Sequence, residues 1–109
     1  MTTPEGRIKR RLEAKLNQLH IDVWSYAPQA GPFGRSGVPD RLVLVRGHLV
    51  AIECKANATK KPTRVQIATM NRMRLAGATV FLVYDDDTID VAVEYIRKRA
   101  GVGGGEDSC

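Results

Sequence analysis

Apolar positions recur along this chain at two periods, and the places where the period changes divide it into elements. From Pro4 to about His20 the stripe Ile8, Leu12, Leu16 and Leu19 follows helical spacing. Thr2 or Thr3 can cap this helix, Pro4 suits its first turn, and Glu5 suits the positive end of its dipole. Ile21 to Ala27 alternates as a strand does, with Trp24 and Tyr26 read as packing residues rather than as platforms for stacked bases. A Gly/Pro-rich loop, Pro28–Gly37, leads into Pro39–Lys55, where two apolar runs flank Gly47-His48. A Gly-X pair between such runs predicts a β-hairpin with a type II′ turn. Thr63 can cap a second helix running to about Ala76, with Gly77 as its stop and Ile67, Met70 and Met73 as its stripe. Gln66 borders that stripe, aimed at the sheet. Ala78–Tyr84 is almost continuously apolar, which suits a strand covered on both faces and reached by a helical crossover. Asp85-Asp86-Asp87 stands where the last helix needs an N-cap, and is read as that rather than as a metal-binding run. Ile89, Ala92, Val93 and Ile96 form the stripe of this helix, and Arg97, Lys98 and Arg99 sit at its negative end. The expected architecture is α/β: a mixed β-sheet in the order α-β-β-β-α-β plus a C-terminal helix, flanked by helices.

The hairpin carries a charge problem. A turn at Gly47-His48 sets Leu44 opposite Ala51, Leu42 opposite Glu53 and Asp40 opposite Lys55, with Asp40 diagonal to Glu53. Two carboxylates and an ammonium then share one end of an otherwise apolar sheet face, where a desolvated, unpaired charge costs several kcal/mol. A salt-bridge cluster closing the sheet and a divalent-metal site assisted by the lysine both satisfy this pattern, and the hairpin by itself does not choose between them.

Composition narrows the class. The 109 residues, 43% of them hydrophobic, suit one compact domain. The division expected is a single domain over 1–100 and a flexible Gly-rich tail over 101–109. Net charge is +5, which favours a polyanionic partner such as nucleic acid or an anionic surface. The densest positive patch is Arg7, Lys9, Arg10, Arg11 and Lys15 on the first helix. No apolar run is long enough to span a membrane and no leader pattern opens the chain, so a soluble cytoplasmic protein is expected. Cys54 and Cys109 suggest no disulfide, and the dispersed cysteines and histidines have no zinc spacing.

The motifs, taken together, resemble a known family. Pro39-Asp40, then Glu53-Cys54-Lys55 after twelve intervening residues, is similar to the signature of the PD-(D/E)XK nuclease superfamily, whose restriction-endonuclease-like core has the same element order. The finer pattern resembles the VRR-NUC domain: Glu5 followed by Ile8, Gly37-Val38-Pro39-Asp40, Glu53-Cys54-Lys55, and Gln66 ahead of Gly77. The likeness runs from about Glu5 to Tyr84. It looks like a small stand-alone member of the type carried by bacteria and their viruses, which places it in the bacterial or phage-infected cytoplasm.

That resemblance implies a site. Asp40, Glu53 and the main-chain carbonyl of Cys54 would bind a divalent ion, with Glu5 completing the set directly or through a water. Oxygen ligands without sulfur or imidazole suit Mg2+ or Mn2+. Lys55 would orient or deprotonate the attacking water or stabilise the transition state, and Gln66 would hydrogen-bond that water or Lys55. Asp40, Glu53, Lys55 and Gln66 form the catalytic set. Arg7, Arg10, Arg11, Arg35, Lys60, Lys61 and Arg64 are the expected DNA contacts, and Phe33 is a candidate wedge. The function expected is metal-dependent hydrolysis of DNA phosphodiesters by a homodimer that selects branched or four-way junction DNA. A non-catalytic DNA-binding module and a sequence-specific restriction-like enzyme are the alternatives.

Overall fold

The structure, a computed structural model, describes residues 2–19, 22–29 and 34–101. The expected strand start at Ile21, the wedge at Phe33 and all but the first residue of the Gly-rich tail lie outside the described residues. The elements follow the expected order: α1 (Pro4–Asn17), β1 (Val23–Tyr26), β2 (Arg41–Val45), β3 (His48–Cys54), α2 (Arg64–Leu75), β4 (Thr79–Val83) and α3 (Asp86–Arg99). Among the described residues no helix is long and apolar enough to cross a membrane.

Each helix begins where its capping chemistry dictates. Thr3 accepts a hydrogen bond from the Gly6 amide, with Pro4 following in the first turn. Asp85 caps α3, as its place in the aspartate run suggested, and forms a capping box with Thr88. Thr63 caps α2 in a second box, closed by Gln66.

The four strands lie in the order β1-β2-β3-β4. The first two pairings are antiparallel and β3–β4 is parallel, reached through α2. On one face Val43, Val45, Val50, Ile52, Cys54 and Val83 are buried against Ile8, Leu12 and Leu16 of α1 and Ile89, Ala92 and Ile96 of α3. That face is the hydrophobic core, and each aliphatic side chain buried there is worth roughly 1.5–3 kcal/mol over its exposed state. Across the sheet α2 packs over β4 and reaches β3 through the Gln66–Glu53 hydrogen bond, and among the described residues no helix packs extensively over the β1–β2 half of this face.

Three expectations are corrected. First, the hairpin turns one residue earlier. Arg46 (φ 48°) and Gly47 (φ 80°) occupy the corner, the type I′ pattern, and Val45 pairs with His48. Arg46-Gly47-His48 can supply either an X-Gly or a Gly-X turn, and moving between them slides the pairing by two residues. A two-residue slide leaves every side chain on its original face. The expected faces therefore hold while the neighbours change: Leu42 stands opposite Ala51, not Glu53. Second, α2 buries only Met70 fully; Ile67 is exposed, because the main packing of this helix on the sheet is against the last strand, β4. Third, Trp24 and Tyr26 are not packing residues. They lie on the exposed face of the edge strand, at 61% and 47% exposure.

Candidate active site

Strand alternation sends Cys54 into the core and turns its neighbour Glu53 to the other face, under the start of α2. Glu53 is nonetheless almost fully buried, at 2% exposure. Its Oε2 accepts a hydrogen bond from Gln66 Nε2 at 2.8 Å and lies 3.2 Å from Lys55 Nζ. Lys55 Nζ in turn donates to Gln66 Oε1 at 3.0 Å, which closes a three-membered ring of side chains. Gln66 Oε1 also accepts from the Thr63 amide at 2.9 Å, so one carboxamide caps α2 and braces the charged pair. Glu53 Oε1 is buried with no hydrogen-bond partner among the described residues.

Asp40 occupies the adjoining half. Its Oδ2 accepts from the Cys54 amide at 2.8 Å, one residue before β2 begins, so the side chain extends the ladder. Its Oδ1 lies 3.3 Å from Lys9 Nζ, and the same ammonium is 3.4 Å from Glu5 Oε2. The expected Asp40–Lys55 pairing is thus replaced. The shifted register sends Lys55 to Glu53, and Lys9 from α1 takes Asp40. In sequence Lys9 belongs only to a basic face; the clue to its role is its i, i+4 spacing from Glu5. Gln66's double duty also had a signature, the Thr63-x-x-Gln66 capping box.

Electrostatics follow the burial. Desolvation pushes the Glu53 carboxyl up to about 7, with the charge of Asp40 adding to the rise and Lys55 opposing it. Burial likewise pushes the Cys54 thiol up to about 12, helped by Asp40 and Glu53, so this thiol is not a nucleophile near neutral pH. Partial burial pulls Lys9 down, but Asp40 and Glu5 outweigh it and hold the amine above its ordinary value.

Asp40 just before β2, Glu53 and Lys55 at the end of β3, and Gln66 on α2 are therefore brought together, and Glu5 joins them through Lys9. Among the described residues no three His, Cys, Asp or Glu side chains gather closely enough to hold a metal ion by themselves. The residues fit an ion in a narrower sense: two hard carboxylates stand at the same sheet end, and one has a buried oxygen with an unused lone pair. A cavity of about 210 Å³ opens beside Asp40 and Gln66, walled by the loop at Arg35, Ser36 and Gly37. Gly37 (φ 81°) lets that loop approach α2, since a Cβ there would lie 2.6 Å from Val65 Cγ1. Of the expected DNA contacts, Arg35 lines this cavity. Lys60, Lys61 and Arg64 are exposed on and just after the connector before α2, and Arg7 is exposed on α1. Arg10 bonds Thr2, and Arg11 lies 3.7 Å from Asp86, so both are partly engaged within the chain.

Comparison with known proteins agrees with this fold. A solved structure titled "VRR_NUC domain" superposes with a TM-score of 0.72 and 30% sequence identity, covering 86% of this chain and 98% of that one. No family model matches the sequence, and none of the curated proteins does.

Proposed function

The chain belongs to the VRR-NUC family and carries a nuclease-type domain, and from that premise we propose a divalent-metal-dependent endonuclease, acting on branched DNA as a homodimer. The observation that carries this reading is Glu53. A carboxylate kept for structure has its oxygens satisfied, because a buried polar atom left without a partner costs about 1–3 kcal/mol. Glu53 instead has one oxygen held by Lys55 and Gln66 and the other left free. Asp40, Glu53 and the Cys54 carbonyl would hold Mg2+ or Mn2+, with Glu5 reaching it directly or through a water. When bound, the ion supplies polarisation of the scissile phosphate and offsets the charge that develops there.

The remaining roles belong to the chain itself. An ammonium has three donors. Lys55 directs donors to Glu53 and Gln66, and one remains for a phosphate oxygen or the attacking water. Gln66 is a positioning residue: its carbonyl oxygen is shared between Lys55 and the Thr63 amide, which favours a role on Lys55 over one on water. Arg35 at the cavity wall would meet phosphate, with Arg7, Lys60, Lys61 and Arg64 contacting the backbone without reading sequence. A homodimer would supply two such sites for the paired cuts a four-way junction requires. The second reading, a DNA-binding module without turnover, draws on the lack of a three-ligand cluster among the described residues.

Labelled single-stranded, duplex, flap and four-way DNA, incubated with and without Mg2+ or Mn2+, separates the two readings. Metal-dependent products are expected, greatest on branched DNA. Asp40→Ala and Glu53→Ala should each lose about 10³-fold in cutting, the several kcal/mol that an ion contributes, while still binding DNA. Full activity in Asp40→Ala sinks the assignment.

A further inference from the structure

The half of the sheet that α2 leaves open has no role in the chemistry above. Trp24 pairs with Leu44 and Leu44 with Leu49; Tyr26 pairs with Leu42 and Leu42 with Ala51. Directly opposed residues project to the same face, so all of these share the Glu53 side of the sheet. The Trp24 and Tyr26 rings are nearly parallel, 10° apart in plane with centroids 6.0 Å apart, and Leu44 beside them is 44% exposed. Towards α2 this face meets an open groove of about 530 Å³ lined by Arg35, Val38, Thr69, Arg72, Met73 and Ala76. Arg35 and Val38 also line the cavity at Asp40 and Gln66. Leu49, opposite Leu44, lines a neighbouring hollow together with Met73 and Ala76 of the groove, so aromatic shelf, arginine-lined groove and charged cluster are linked through shared residues.

We infer that this face holds an unpaired segment of the DNA substrate, with bases stacked on Trp24 and Tyr26 and phosphates met by Arg35 and Arg72. The inference rests on the nuclease reading and names the feature of branched DNA that the site engages. In a duplex the base faces are hidden by their neighbours, so neighbouring exposed rings can stack only on bases that have left the helix. Among the described residues the groove has two guanidinium groups and no carboxylate in its lining, which matches a phosphate chain. A second copy seated face to face would set these like charges against each other in a chain already at +5.

Trp24 is the sole tryptophan, so its fluorescence reports this face directly. The full-length protein, kept in chelator to prevent cutting, is titrated with an oligothymidylate about 12 nucleotides long and separately with a blunt duplex. The single strand should quench Trp24 emission at concentrations where the duplex leaves it unchanged. Tyr26→Ala should weaken this binding about tenfold. Replacing Arg35 and Arg72 together with alanine should lower the salt slope by about 1.4, roughly 0.7 for each phosphate of a single strand that is no longer neutralised. For Trp24→Ala, anisotropy of a labelled oligonucleotide replaces emission, and circular dichroism checks the fold. Unchanged Trp24 emission when a labelled oligonucleotide is saturated, or wild-type binding by Tyr26→Ala, overturns the inference. So does an emission change driven by protein concentration alone, which would assign the face to a second copy. Metal-dependent cleavage with Trp24 silent removes only this inference. Quenching with no cleavage of any DNA leaves the stacking face standing and removes the nuclease reading instead.

Discussion

The site is built from two acid–lysine pairs that look alike in sequence and live in different media. Glu53 and Lys55 are packed under α2, their side chains 2% and 12% exposed. Asp40 and Lys9 meet near the surface at 24% and 47%, with Glu5 on the far side of the amine. Water screens the second pair and not the first. The same chemical pairing is therefore desolvated in one half and hydrated in the other. Lys9 stands beside Asp40, while Glu53 Oε1 in the buried half has no partner among the described residues.

The largest expected difference lies in the two lysines. Lys55→Met leaves Glu53 as an uncompensated buried acid and should cost about 3–5 kcal/mol in urea denaturation at pH 8. The loss should shrink below pH 6, where Glu53 is protonated. Equal losses at both pH values would break the contrast between the halves.

A smaller effect follows from Glu53 itself. Its folded pKa of about 7 lies above the ordinary 4.5, so the folded chain holds a proton that the unfolded chain releases. The stability this contributes is full below the ordinary value and is lost as pH rises through about 7. Between pH 5 and pH 8 the difference in stability between wild type and Glu53→Gln should move by at most on the order of 3 kcal/mol. A difference that does not change with pH would place Glu53 in water.

Metal comes next in size. Mg2+ or Mn2+ at a hundred times its Kd should add about 2.7 kcal/mol of stability. The gain should be larger at pH 8 than at pH 5.5, since ion and proton compete for the same carboxylate. No thermal shift at either pH would reduce both halves to plain ion pairs. Lys9→Met should have the least effect, about 1 kcal/mol or less without metal. It should increase the metal-induced shift, because Asp40 loses its competing ammonium.

What the sequence disclosed, and what it hid, follows the same physical divide. Periodicity and capping residues placed every helix and strand, and alternation put Glu53 and Cys54 on their correct faces. The turn escaped because Arg46-Gly47-His48 satisfies two turn types whose registers bury the same residues; only neighbours differ, and pattern cannot see neighbours. Lys9 was hidden in a run of basic residues because its partner lies on another element. Trp24 and Tyr26 were misread because alternation identifies a face without saying whether anything covers it. Gln66 was found by its side of α2, although the Thr63-x-x-Gln66 box would have explained why it is held there.

That box ties a local event to the whole site. Helix ends fray readily, and the first turn of a helix is commonly its least protected part. Here the first turn cannot open without withdrawing the carboxamide that Lys55 and Glu53 share. Hydrogen exchange at the Gln66 amide, which is bonded to Thr63 Oγ1 at 3.1 Å, should therefore report the rate at which the Lys55 ammonium comes loose. Fraying of α2 and opening of the buried half become one equilibrium.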